Sequence, residues 1–199
     1  MAKVLICVYS SGADGCLAMA EAAAVGVKST GATCDIRRVP ELSIVEQSNG
    51  LPVEGNIEMV APEMLKDYDG ILFVCPSRMG IMVSAMKAFL ERTGKQWAKG
   101  ELAGKVAGSM VSTERQHDGH ETANISMLTS LMHHGFIVAG LPPTFSGLSG
   151  LEEVKGGTPY GASALSTRRD DGQPSGVELD ACHYQGRYLA EVAAKLRRR

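Results

Sequence analysis

The chain has 199 residues, 44% of them hydrophobic and 21% charged, with a formal net charge of −2. That length suits one packed domain, residues 1–199, and is short for two. The near-neutral balance gives no electrostatic case for nucleic acid, and no apolar run approaches the roughly 20 residues that a membrane span needs.

Lys3–Tyr9 is a nearly continuous apolar run, predicted as a strand buried on both faces. It breaks at loop one, Ser10-Ser11-Gly12-Ala13-Asp14-Gly15-Cys16, and an Ala-rich helix is predicted from Leu17 to Lys28. Further strands are predicted at Thr33–Val39, Gly70–Cys75, Lys105–Ser112 and Phe136–Ala139. Helical patterns lie between and after them: Pro62–Lys66, Val83–Arg92, Thr122–His134 and Gly176–Leu196. Strands alternating with helices predict an α/β fold, a parallel five-stranded sheet with helices on both faces. Two longer segments interrupt the alternation. Glu41–Ala61 carries turn signals at Ser48-Asn49-Gly50 and Pro52, and Leu141–Ser175 is rich in Gly and Pro. Loops of this length are usually functional or interface-forming.

The five cysteines, Cys7, Cys16, Cys34, Cys75 and Cys182, are scattered and form no C-x-x-C pair. Reduced thiols and the lack of a charged-then-apolar leader predict a cytoplasmic protein. Cys7 and Cys75 are expected as small core residues. Cys16, at the first helical turn, is either a bland small residue or a thiol of lowered pKa.

Ligands of open parallel sheets bind at the carboxyl ends of the strands. That rule gathers loop one, loop three (Pro76-Ser77-Arg78-Met79-Gly80-Ile81) and loop four (Ser112-Thr113-Glu114-Arg115-Gln116-His117-Asp118-Gly119-His120-Glu121). Strand, small-residue loop, helix is how such sheets offer backbone N–H groups to an anion. Asp14 conflicts with that use, unless it turns outward; the alternative for the loop is a tight turn with Asp14 as a cap. His117, Asp118, His120 and Glu121 are either a proton-transfer or metal cluster or a polar loop capping the next helix; Gly119 argues against a shared helical face, and no metal is expected. Arg78 is either a ligand contact or a surface arginine paired with Glu91.

The framework resembles the WrbA-type flavodoxin-like NAD(P)H:quinone oxidoreductases along essentially the whole chain. The resemblance rests on Met1-Ala2-Lys3-Val4-Leu5, Asp67-Tyr68-Asp69, Pro76-Ser77-Arg78, Phe89-Leu90, Trp97-Ala98 and His133-His134-Gly135. It continues in Gly156-Gly157-Thr158-Pro159-Tyr160-Gly161, Gln173-Pro174-Ser175 and Tyr184-Gln185-Gly186. It implies a flavodoxin-like fold and an FMN at the strand ends. NAD(P)H is then the co-substrate and a small-molecule quinone the acceptor, in two-electron ping-pong chemistry. It also implies a homodimer or homotetramer whose neighbouring chains complete the site.

Carried onto this chain, the resemblance places the cofactor against Ser10, Ser11, Gly12, Ala13, Asp14 and Gly15, and against Pro76, Ser77, Arg78, Met79, Gly80 and Ile81. Ser112, Thr113, Glu114 and His133 complete that set. Arg78 and His133 are the implied catalytic pair; for His133 the alternative is a helix-ending histidine before Gly135. Trp97 and Gly156–Gly161 are implied interface and rim elements. The departures cluster. Loop one is one residue longer and adds Asp14. Loop three has Met79 for an aromatic and Ile81 for Asn, and loop four has Glu114–Asp118 for small residues. The competing expectation is a family member with FMN binding lost or weakened, its pocket rebuilt for another small molecule or for binding alone.

Overall fold

The computed structural model describes residues 1–12, 14–42, 57–150, 154–166 and 173–197; Ala13 and the turn signals at Ser48–Gly50 and Pro52 lie outside them. In chain order the elements are β1 (Lys3–Val8), α1 (Cys16–Ser29), β2 (Thr33–Arg38), a 3-10 turn (Pro62–Asp67), β3 (Gly70–Arg78) and β4 (Ile81–Met82). Next come α2 (Ser84–Arg92), α3 (Gly94–Ala98), β5 (Val106–Thr113), α4 (His120–His133), β6 (Ile137–Val138), a second 3-10 turn (Ser146–Leu148), β7 (Ser163–Leu165) and α5 (Gly176–Arg197).

The strands form one sheet in the order β2-β1-β3-β5-β6, all parallel along that path. This is the doubly wound flavodoxin-like arrangement, with its crossover point between β1 and β3. Alternation along each strand divides the core. Val4, Ile6, Val8, Leu72 and Val74 pack against α1 and α5. Leu5, Cys7, Ile71, Phe73 and Cys75 pack against α2 and α4. Both faces are covered, which explains the continuous apolar runs.

Two strands escape a pattern search. β4 turns back antiparallel on β3, with Arg78 opposite Ile81. β7, three residues inside the long Gly/Pro segment, pairs parallel with the far end of β5 while β6 pairs with its near end. The buried Gln185 amide ties the two halves of that edge together. It accepts from Ala162 N (2.7 Å) and donates to the carbonyls of Ala139 (3.1 Å) and Ser109 (3.3 Å). On the same face α1 and α5 approach backbone to backbone, because Gly26 and Gly186 leave no room for a Cβ.

No helix among the described residues is long and apolar enough to cross a membrane.

Candidate functional site

β1, β3 and β5 run side by side and end at the same edge, so parallel pairing alone brings loops one, three and four together. Loop one leaves β1 through Ser10, which is buried. Gly12 (φ 109°) and Gly15 (φ 70°) turn the chain through conformations that side chains disfavour, and α1 starts at Cys16.

Asp14 points into this loop and is only 7% exposed. Oδ1 accepts from the Ser10 hydroxyl (2.8 Å) and from Cys16 N (3.1 Å). Oδ2 accepts from Ser11 N (2.6 Å) and from the Ser11 hydroxyl (3.0 Å). The outward turn that an anion here would require does not occur, and the carboxylate takes the local, cap-like role that is the alternative for this loop. Cys16 N, at the start of α1, and the Ser10 and Ser11 donors of the loop are thus engaged by the chain's own carboxylate. From β5, the Ser112 hydroxyl donates to the Asp14 carbonyl and fixes the loop from beneath.

Loop three is a hairpin, because β3 continues through Pro76, Ser77 and Arg78 where the apolar pattern predicts an end at Cys75. Pro76 pairs opposite Ser112. Met79 (φ 54°) and Gly80 (φ 75°) form the two-residue connection to Ile81. Two left-handed residues match the twist of a tight hairpin, and glycine or asparagine is the usual choice. Met79 is 98% exposed at the tip. Ile81 is exposed beside it. Arg78 is exposed, and its Nη2 donates to Ser11 Oγ at 3.5 Å. It is not the partner of Glu91, which pairs with Lys87 at 2.5 Å. The Ser77 hydroxyl is shielded from solvent and makes no hydrogen bond among the described residues.

In loop four, Ser112 and Thr113 face inward and are buried. Thr113 Oγ1 donates to Arg115 O at 2.9 Å and lies 3.2 Å from His120 Nε2. Glu114, Arg115, Gln116, His117 and Asp118 are exposed. Gly119 (φ 84°) precedes α4, which begins at His120, two residues before the predicted Thr122. Gly119 abuts the hairpin so closely that a Cβ there would stand 2.8 Å from Gly80 Cα. His117 and His120 therefore part, one to solvent and one into the core. Burial lowers the His120 pKa, against the opposing pull of Glu121. Among the described residues, no three His, Cys, Asp or Glu side chains gather to hold a metal ion.

Cys16 is buried, and its pKa is raised well above normal, first by burial and then by the Asp14 charge. It is an inert core thiol.

His133 does not join these loops within one protomer. It closes α4, fourteen residues long, whose other end carries His120; at ~1.5 Å per residue that separation is roughly 20 Å. There it stacks on Trp97 (centroids 5.5 Å apart, planes 9° from parallel), and Trp97 Nε1 donates to His133 O at 3.1 Å. The pair lines a surface cavity of about 370 Å³ with Thr129, Ser130 and His134.

The chain as a whole has known relatives. Residues 2–144 match the family model described as NADPH-dependent FMN reductase. A protein of Sinorhizobium fredii named NAD(P)H dehydrogenase (quinone) is 41% identical over 199 residues, covering 98% of this chain and 99% of its own.

The chain belongs to the NADPH-dependent FMN reductase family.

Membership brings FMN as the flavin and NAD(P)H as the electron donor. Solved structures agree on the fold of this family member. The flavodoxin, WrbA-like protein from Agrobacterium tumefaciens superposes with a TM-score of 0.70 at 19% identity, covering 98% of this chain and 99% of that one. A flavodoxin from the domain Archaea gives 0.61 at 18%, covering 96% and 99%.

Fit to FMN divides within the site. The solvent-shielded, unpaired Ser77 hydroxyl, the exposed Arg78 and the hairpin backbone suit the ring end of a flavin. The phosphate end does not fit while Asp14 keeps its four donors. Sequence inspection flagged Asp14 but not its direction. Ser77 Oγ was visible only as one position in a family motif. Nothing in the sequence signals that its hydroxyl has no partner among the described residues.

Proposed function

We propose that this chain is an FMN-dependent NAD(P)H:quinone-type oxidoreductase, turning over by a two-electron ping-pong cycle. The observation that carries the proposal is the meeting of three loops at one sheet edge, in a chain of this family, with the exposed Arg78 at that edge and the Ser77 hydroxyl beneath it unpaired among the described residues. Bound FMN supplies the centre through which reducing equivalents pass from NAD(P)H to a small-molecule acceptor. The protein's own residues do the rest. The Ser77 hydroxyl, unpaired among the described residues, would donate to the ring edge once FMN is bound. Arg78, a positive charge on the β3–β4 hairpin, would orient the acceptor and offset negative charge on the bound ring.

His133 and Trp97 reach a flavin only across subunits, as a stacked pair offered to a neighbouring protomer's site. The functional unit is then a homodimer or homotetramer, and His133→Ala should lower turnover without altering flavin content. Steady-state rates measured against NADPH at several quinone concentrations test the cycle: parallel double-reciprocal lines support it, and intersecting lines overturn it.

A second reading is favoured by one observation, the Asp14 carboxylate in the cradle. It makes the chain a weak-flavin or flavin-free family member whose pocket serves another small molecule. Saturating FMN separates the two, because a ligand that binds only the native state raises the melting temperature. An unchanged melting temperature and unquenched flavin fluorescence select the second reading.

A further inference from the structure

We propose that Asp14 is an internal replacement for the flavin phosphate, a specificity-determining residue that removes the site's preference for phosphorylated flavin. The inference rests on the flavin-binding reading above and goes further, naming the part of the ligand that the site does not grip.

Four donors converge on the two carboxylate oxygens: the hydroxyls of Ser10 and Ser11 and the backbone nitrogens of Ser11 and Cys16, at 2.6–3.1 Å. Two hydroxyls and two backbone N–H groups in the loop leading into a helix are a donor set of the kind that binds a phosphate. Asp14 N in turn donates to Gly12 O (2.9 Å), and the Ser112 hydroxyl donates to Asp14 O, so the backbone beneath the carboxylate is pinned from both sides. The carboxylate is 7% exposed.

A phosphate has two routes in, and both are unfavourable. Entering beside Asp14 puts two anions within ~4 Å in a partly shielded site, with the donors already used. Evicting Asp14 breaks four hydrogen bonds before any is regained. Riboflavin, which ends in a hydroxyl where FMN carries its phosphate, meets neither obstacle. Recognition then falls to the ring and ribityl contacts at Ser77, Arg78 and the Met79–Gly80 turn, which both flavins share. The expected consequence is an exchangeable flavin, held with nearly equal strength whether phosphorylated or not.

Dissociation constants for FMN and riboflavin, read from quenching of flavin fluorescence, test this in the full-length protein and in Asp14→Gly. The wild type should bind the two within about threefold of each other. Asp14→Gly should tighten FMN at least tenfold and leave riboflavin unchanged. Asp14→Asn, which keeps the shape but not the charge, should shift FMN in the same direction and covers the case in which Asp14→Gly does not fold. A wild type that prefers FMN by more than tenfold overturns the inference. So does an FMN-to-riboflavin ratio that neither variant changes, and in both cases the flavin reading stands. Failure of wild type and variants to bind either flavin overturns the flavin reading itself, and this inference with it.

Discussion

The Oδ2 atom of Asp14 lies 2.6 Å from the backbone nitrogen of Ser11, three residues earlier in the chain. That contact turns the first loop of the sheet edge back on itself, and with the Ser10, Ser11 and Cys16 bonds it pairs four of the loop's donors internally. Those four bonds hold the loop without a ligand. Hydrogen bonds to a charged acceptor contribute about 1.5–3 kcal/mol each, and a buried donor left unpaired costs about as much as the bond is worth. Asp14→Gly should therefore destabilise the ligand-free protein by roughly 2–3 kcal/mol in chemical denaturation, even as it opens the cradle. A variant as stable as the wild type would mean that water replaces the carboxylate at no cost.

The Met79–Gly80 turn carries the opposite imbalance. Met79 sits at φ 54° with its side chain almost wholly in solvent, so packing does not offset its backbone strain. Asparagine tolerates this conformation better. Met79→Asn should raise stability by about 0.5–1 kcal/mol. An equal loss would show that the exposed methionine makes contacts in an assembly.

Where α1 crosses α5, backbone touches backbone. A Cβ on Gly186 would stand 2.2 Å from Ala23 O, and one on Gly26 would stand 1.9 Å from His183 O. Neither neighbour is a flexible side chain, so the helices must separate. Gly186→Ala should cost about 2–3 kcal/mol. Gly94→Ala, in α3 with open space around its Cβ position, should be neutral or slightly stabilising, since alanine favours helix. Equal effects at the two sites would contradict the close approach.

His120 gives the fold a pH dependence of definite sign. Burial lowers its pKa below the ordinary 6.5, and the Glu121 charge opposes the shift without cancelling it. The unfolded chain therefore takes up a proton that the folded chain refuses. Stability from this group is complete above pH 6.5 and is lost as the pH falls towards the folded-state pKa. The wild-type melting temperature should drop more steeply than that of His120→Gln between about pH 7 and pH 5. Superimposable slopes would exclude His120 as the source.

Much of this was legible in the sequence. The runs Val4–Val8 and Ile71–Val74 announce strands covered on both faces, and the helices between them fix the parallel order. Parallel order in turn puts loops one, three and four at one edge, so the location of the site follows from local patterns. The motifs that carry the resemblance placed the chain in its family's framework, which the matched family model and the 41% identical relative support.

What the sequence by itself determined, then, is the set of elements and the edge where the loops meet, because burial periodicity is a property of neighbouring residues. The tertiary structure alone decided the direction of Asp14, the loneliness of the Ser77 hydroxyl, and the stacking of His133 on Trp97 at the far end of α4. It also supplied β7, too short to carry a pattern, as a partner for β5. The His133–Trp97 stack and the β5–β7 pairing depend on partners far along the chain, whereas the Asp14 carboxylate takes its four donors from within four residues and only its carbonyl is held from afar. The Ser112 hydroxyl that holds the Asp14 carbonyl lies 98 residues further along, and no local pattern encodes a hydrogen bond across that separation.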